Sequence, residues 1–374
     1  MKNNKYLIKE EESKRMLKVF EAFSGVGSQH MALKKINHEY EIVATSDIDK
    51  NAILAYYYVH NCNKKYKKIS KDEMLEYINK KGIGDIEKNK KSNEKEIYEL
   101  YNAVRCSKNL GDIKKIDVNK IPNHDIFTYS FPCQDISSVG TRRGLDFGSG
   151  TRSSLLWECK KIIESKRPKY LILENVKNLV VGKNKENFLK WIGYLEMQGY
   201  DNYWKIFDSQ YYGIPHRRPR VIVVSKLGKS NINLVKDNYI KESGISDIID
   251  KKEDKWIIFE PKAEIKGKIN EGECLFLDDR DWKMNGVIIN KVCSTQRAGR
   301  TGLKLIKKEK GKLYERKLNA LECCRLMGYL DEDYMKMKKG GLSDGTIMKI
   351  CGNSIVVNVL ENIFKNIFEE ENYG

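Results

Sequence analysis

The chain has 374 residues, 40% hydrophobic and 32% charged, which suits a globular protein with one large α/β domain and a smaller one. Its 69 basic and 52 acidic side chains leave a net charge of +17, a field that attracts polyanions, although AT-rich coding also enriches lysine. No run approaches the ~18 consecutive apolar residues of a membrane span, the opening "MKNNKYLIKEEESKRM" lacks the apolar core of a secretory signal, and nine cysteines without a C-x-x-C pair argue against a disulfide framework or a metal site and for a reducing cytoplasm.

Strand-like and helix-like patterns alternate through the first 225 residues. "KVFEAF" (18–23) predicts a strand, followed by glycines and a helix in "SQHMALKKI", where Met31, Ala32 and Ile36 share a face. "EIVATSD" (41–47) predicts a second strand, and "DKNAILAYYYVH" a helix with Asp49 at its N-cap. Residues 62–108 interrupt this order as a charged helical insertion with a flexible middle, expected to be a solvated lobe. "DIFTYS" (125–130), "KYLILEN" (169–175) and "RVIVVS" (220–225) predict further buried strands, separated by helices in "SSLLWECKKIIESK" and "NFLKWIGYLEMQGY". The expected fold is therefore a doubly wound, mainly parallel sheet. After about residue 228 the period is lost, and short strands and turns up to about 330 predict a smaller irregular β-rich domain. Helical patterning near 316–330 and through "SIVVNVLENIFKNIF" (354–368) is expected to return the chain to the first domain, which comprises 1–228 and about 331–374.

Ligands of open α/β sheets collect beyond the carboxyl ends of the strands, and the unusual residues of this chain fall there. Gly25 and Gly27 in "FSGVGS" let backbone approach a ligand, but His30 replaces the third glycine of a dinucleotide fingerprint, which disfavours a pyrophosphate cofactor and an NAD oxidoreductase. Asp47 ends the second strand, where a carboxylate can accept from ribose hydroxyls, and Asp112 in "NLGDI" could accept from an adenine amine. Together they point to an adenosine ligand without phosphates, such as S-adenosylmethionine. Cys133 in "YSFPCQDISSVG" and Glu174 end the next two strands, a plausible pair for covalent catalysis. Arg217, Arg218 and Arg220 in "QYYGIPHRRPR" are aimed by Pro215 and Pro219.

"FEAFSGVGS", "FPCQDISSVG", "ENVKNL", "QYYGIPHRRPRVIVV", "RKLNALECCRLMGY" and "CGNSIVVNVL" resemble, in order, six motifs of the DNA cytosine-5 methyltransferase family, over nearly the whole chain from Val19 to about Phe368. The resemblance implies a Rossmann-like catalytic domain (with 62–108 longer than usual) and a target-recognition domain at about 229–330. It implies Cys133 as nucleophile on carbon 6 of a flipped-out cytosine, Glu174 at N3 and the exocyclic amine, Arg220 at O2, and Arg218 in support. For the cofactor, S-adenosylmethionine, it implies Phe23, Gly25, Gly27, Asp47, Asp112, Leu155, Asn353 and Ser354, together with Ile48 where the family often has tryptophan. Double-stranded DNA is the implied partner: Arg142 and Arg143, in the glycine-rich basic segment 137–150, would meet phosphates, and Arg280, Gln296, Arg297 and Arg300 suit base edges in the major groove. No metal is expected, and the protein is expected to be a cytoplasmic monomer with any cognate restriction endonuclease acting separately. A tRNA methyltransferase or a non-catalytic DNA-binding protein are the alternative readings.

Overall fold

The computed structural model describes residues 16–36, 38–60, 66–131, 155–237, 241–253, 255–261, 263–297 and 303–373. In chain order the first part runs β1 (Leu17–Ala22), α1 (Ser28–Lys34), β2 (Tyr40–Ser46), α2 (Lys50–His60), α3 (Lys71–Lys80), α4 (Ile86–Lys91), α5 (Glu94–Cys106) and β3 (Ile126–Tyr129). It continues with α6 (Leu156–Lys166), β4 (Tyr170–Val176), α7 (Lys183–Met197), β5 (Tyr200–Asp208) and β6 (Pro219–Leu227). Then come β7 (Ile257–Ile258), β8 (Ile265–Lys266), β9 (Cys274–Asp278), α8 (Trp282–Asn285), β10 (Val287–Asn290), β11 (Lys304–Glu309) and β12 (Lys312–Lys317). The last helices are α9 (Ala320–Arg325), α10 (Asp331–Lys339), α11 (Asp344–Asn353) and α12 (Val357–Tyr373).

Strands β1, β3 and β4 are buried along nearly their whole length and predominantly apolar, as strands in the interior of a doubly wound sheet are. The sheet has the order β2-β1-β3-β4-β6-β5. Its β2-β1-β3-β4 half is parallel, as expected, whereas β6 runs antiparallel to both β4 and β5, so the sheet is mixed at that end. Strand β5 has no counterpart among the predicted strands. It is an edge strand with Trp204 and Ile206 turned outward, and its pattern is that of a half-exposed surface.

The insertion is helical, as expected, but it is more than a solvated lobe. Met74, Ile78, Ile97, Leu100 and Tyr101 form a core of their own against Ile53 of α2. Its middle, expected to be flexible, carries α4, capped by the Asp85 carboxylate, and Asn89 buried against the Ile83 carbonyl. Cys106 at its end is disulfide-bonded, where no disulfide framework was expected.

The second sheet, β7-β12-β11-β9-β10-β8, spans only 257–317. Its strands alternate in the period of two: Leu275, Leu277 and Ile306 face a small private core, while Phe276 and Leu305 join the core of the first domain. Segments on both sides of it pack with the first domain: Leu234 and Val235 lie against α12, and Leu318 to Tyr329 join α11 and α12. The expected limits at 229 and 330 thus fall outside the sheet.

The return from β12 to α9 is locked by a fully buried bidentate pair, Arg316 to Glu322. The same carboxylate accepts from the backbone N–H of Asn319 and of Asp250, each at 2.9 Å. Removing one partner strands a buried charge, so Glu322→Ala is expected to destabilise the fold by about 3–5 kcal/mol. Chemical denaturation would read this as a lowered midpoint at unchanged slope; a midpoint equal to the wild type would show that the pair holds nothing.

Candidate active site

The chain leaves β1 through a turn that glycine makes possible. Phe23, Gly25 and Gly27 take φ values of 54°, 56° and 82°, in the left-handed region. A Cβ built on Gly25 would meet nothing within 4 Å, because it would point into open cleft. Asp47, just past β2, fixes this turn from the next strand: its carboxylate accepts the Gly25 N–H at 2.8 Å and the Asp49 N–H at 2.9 Å. Burial raises the Asp47 pKa from its ordinary value, and those two N–H groups oppose the rise. Asp49 caps α2, accepting from Asn51 at 2.8 Å, as the sequence suggested.

Glu174 lies near the end of β4. Because β6 is antiparallel to β4, Arg220 near the start of β6 pairs with Val176 near the end of β4, and the arginine motif reaches the same edge of the sheet as the strand ends. Arg220 Nε lies 3.2 Å from Glu174 Oε1, both side chains mostly buried. Burial raises the Glu174 pKa, opposed by the charges of Arg220 and Arg218. Beside Glu174, Asn175 donates to the Phe131 carbonyl at 3.1 Å and ties the end of β4 to the segment after β3.

These elements enclose a cleft of about 590 Å³. Phe23, Gly25, Asp47, Glu174, Arg218, Arg220, Asn353 and Ser354 all line it, as do Ser130 and Phe131. Lys349, Asp49 and Asn51 also line it and were not singled out from the sequence as site residues, since Asp49 reads there as a helix cap and the other two as ordinary helix residues.

Other expected site residues sit elsewhere. Ile48 is exposed and outside the cleft lining. Asp112 accepts from the Lys114 N–H at 3.0 Å and caps a short turn, and Leu155 packs against the core beneath the sheet. Arg280 is held by Asp278 and by the Thr295 carbonyl, and its side chain is 6% exposed. Gln296 is buried, and its Nε2 donates to the Met348 carbonyl at 3.3 Å. Neither presents its polar group to a groove here. Arg297 is partly exposed, 3.6 Å from Asp281. Cys133, Arg142, Arg143 and Arg300 lie outside the described residues.

Arg218 acts as a tie. Its guanidinium donates to the carbonyls of Gln296, Gly352 and Ser354 at 2.9, 3.0 and 2.7 Å, joining the second domain to the segment that closes the cleft. His216, missed in the sequence, completes the joint. Its Nε2 accepts the Gln296 N–H at 3.0 Å, so Nδ1 carries the proton and donates to the Leu326 carbonyl at 3.0 Å. Burial and the neighbouring Arg218 push its pKa down to about 3, which keeps the ring neutral in this role. Among the described residues no cluster of His, Cys, Asp or Glu could hold a metal, and no single helix is long and apolar enough to cross a membrane.

A doubly wound sheet whose first strand ends in a carboxylate-braced glycine turn, with a cleft beyond the strand ends, defines a Rossmann-like ligand-binding fold, and comparison with known proteins specifies the family. The family model described as C-5 cytosine-specific DNA methylase matches residues 75–369. The chain is 38% identical over 365 residues to the type II methyltransferase M2.ScrFI of Lactococcus lactis subsp. cremoris, covering 95% of this chain and 100% of that one. It is 32% identical over 389 residues to the orphan methyltransferase M.SssI of Spiroplasma monobiae, covering 96% and 99%. Among solved structures, the Dnmt2 methyltransferase of S. pombe superposes with a TM-score of 0.60 at 19% identity, covering 94% of this chain and 98% of that one. The methyltransferase EhMeth of Entamoeba histolytica gives 0.61 at 18%, covering 95% and 98%; both likenesses concern the fold. The chain belongs to the C-5 cytosine-specific DNA methylase family. It is a DNA cytosine-5 methyltransferase.

Proposed function

We propose that the cleft binds S-adenosylmethionine beside the glycine turn and a cytosine, swung out of duplex DNA, beside Glu174 and Arg220. The observation that carries this reading is the Glu174–Arg220 pair at 3.2 Å in the same cleft as Asp47 and the open face of Gly25. The residues present suit such a cofactor: open space faces Gly25, a carboxylate stands at the end of β2, and Asn353 and Ser354 close the far side. Bound there, S-adenosylmethionine supplies an electrophilic methyl group.

The protein's own groups do the rest. The Cys133 thiolate adds to carbon 6 of the ring, and the displaced electron pair makes carbon 5 nucleophilic. Glu174 gives its proton to N3 as the adduct forms, and Arg220 holds O2. A carboxyl whose pKa burial has raised keeps that proton further toward neutrality than an exposed one. Transfer leaves S-adenosylhomocysteine; the carbon 5 proton then goes to solvent, the sulfur–carbon bond breaks to return the thiolate, N3 gives its proton back to Glu174, and 5-methylcytosine is released. Extruding the base costs a few kcal/mol, which contacts from the second domain and from Arg142 and Arg143 would offset. The chain would act as a monomer in the cytoplasm, either as the modification half of a restriction–modification pair, with the endonuclease separate, or alone. Both kinds occur among its relatives, one named type II and one named orphan.

The test is transfer of labelled methyl from S-adenosylmethionine to duplex DNA, with tRNA assayed alongside, and mapping of 5-methylcytosine in the product. Label on duplex DNA alone is expected, and label confined to tRNA would overturn the reading. Asp47→Ala, which removes a charged acceptor, is expected to raise KM for the methyl donor by roughly 10- to 100-fold with a smaller effect on kcat. An unchanged KM would place the cofactor elsewhere.

A further inference from the structure

Four polar side chains lie behind the glycine turn, and the chemistry above uses none of them. Glu21 on β1 is fully buried and accepts from the Tyr56 hydroxyl of α2 at 2.7 Å. Since that hydroxyl donates to Glu21, it accepts from Nδ1–H of His30, 3.0 Å away. The His30 ring stacks flat on His60, with centroids 4.0 Å apart and planes at 6°. On its far side, His60 Nδ1 faces the Lys34 ammonium at 3.1 Å, which can only donate. Nε2 must therefore carry the proton, and it donates to the Val26 carbonyl at 2.9 Å.

None of these four side chains lines the cleft, whereas Ser24, Gly25, Val26 and Ser28 of the turn all do. Among the described residues, the hydrogen bond from these side chains to the turn is the one to the Val26 oxygen. The turn also rests directly on the two rings: a Cβ on Gly27 would come within 2.4 Å of His60 Nε2 and 2.6 Å of Tyr56 Cε2. Burial, with Lys34 beside both rings, pushes both imidazole pKa values down, that of His30 to about 3, so both rings stay neutral and the tautomers stay as assigned.

We propose that His60 is a positioning residue for the methyl donor: its Nε2–H holds the Val26 carbonyl, and with it the Ser24–Ser28 turn, in the shape that admits the cofactor. A carbonyl deprived of this donor in a buried setting is unsatisfied, and the turn relieves that by shifting, which changes the floor of the cleft. Stacking on His30, itself fixed through Tyr56 to Glu21, sets the plane of the His60 ring and therefore the direction of the bond. The proposal rests on the cofactor reading above.

The experiment is calorimetric titration of the full-length protein with S-adenosylhomocysteine, together with kcat and KM for the methyl donor. His60→Leu, similar in bulk but without a donor, is expected to weaken binding and raise KM by about tenfold, with kcat at saturation close to wild type. His60→Gln, whose amide can still donate, is expected to stay within about threefold of wild type. If both variants lose affinity equally, ring packing and not the hydrogen bond is responsible, and the proposal falls. It falls also if His60→Leu binds like wild type while Asp47→Ala is weakened, an outcome that leaves the cofactor reading intact. A wild-type protein with no measurable affinity would instead sink the cofactor reading, and the proposal with it. Should His60→Leu fail to fold, Tyr56→Phe provides the second arm: losing the hydroxyl that anchors His30 is expected to weaken binding several-fold, and unchanged affinity overturns the proposal.

Discussion

Replacing Cys133 with alanine is expected to reduce methyl transfer by at least about four orders of magnitude while affinities for DNA and S-adenosylhomocysteine stay within a few-fold. The size of the effect follows from the ring. Carbon 5 of cytosine does not attack an alkyl sulfonium unaided; it becomes nucleophilic only when a nucleophile has added to carbon 6. Sulfur suits that addition because it is soft and because a thiol of pKa about 8.5 already has a few per cent of thiolate near neutrality. Serine, a far weaker acid, would not replace it, so Cys133→Ser should be nearly as inactive. Ser130 and Phe131, the last described residues before this cysteine, line the cleft with Glu174. Single-turnover label transfer into duplex DNA measures the loss. An alanine variant retaining a tenth of the wild-type rate would end the covalent mechanism.

Glu174→Gln should lower kcat by about 10²- to 10⁴-fold, with a much smaller change in KM for DNA. Glutamine keeps the shape and can still accept from the exocyclic amine, but it has no proton to give to N3. The pH dependence gives an independent reading. Burial raises the Glu174 pKa above its ordinary 4.5. The proton-donating form therefore persists above pH 4.5 and is lost as pH rises through the shifted value, so the wild-type rate should fall along that limb. In Glu174→Gln the limb should vanish from the single-turnover rate. A variant with wild-type kcat, or one that keeps the same limb, would show that this carboxyl does not move the proton.

What could be read in the sequence follows from where each residue's partners lie. Strands β1, β3 and β4 are buried along nearly their whole length, so they stand out as short, mainly apolar stretches, and the ends of β3 and β4 bring Glu174 and the segment after β3 to one edge. Strand β5 hides its identity because an edge strand carries apolar side chains outward, as Trp204 and Ile206 do. Arg280 and Gln296 have the side chains that read base edges, yet one is neutralised by Asp278 two positions away and the amide of the other is engaged by the Met348 carbonyl, 52 residues distant. The first partner could have been noticed in the sequence; the second is created only by the fold. The same holds for His216 and His60, whose tautomers are fixed by carbonyls at Leu326 and Val26. The insertion looked like a charged surface because lysine and glutamate dominate it, although Met74, Ile78, Ile97 and Leu100 already stand at helical spacing.

The central claim is that a bond forms between one cysteine and carbon 6 of cytosine, and trapping that bond tests it most directly. Duplex DNA carrying 5-fluorocytosine at the methylated position, incubated with the protein and S-adenosylmethionine, blocks the final elimination because fluorine cannot leave as a proton does. The expected result is a protein–DNA adduct stable to denaturation, bearing the transferred methyl group, with the modified peptide containing Cys133. Unmodified protein recovered from such an incubation, while ordinary cytosine in the same sequence is methylated, would contradict it.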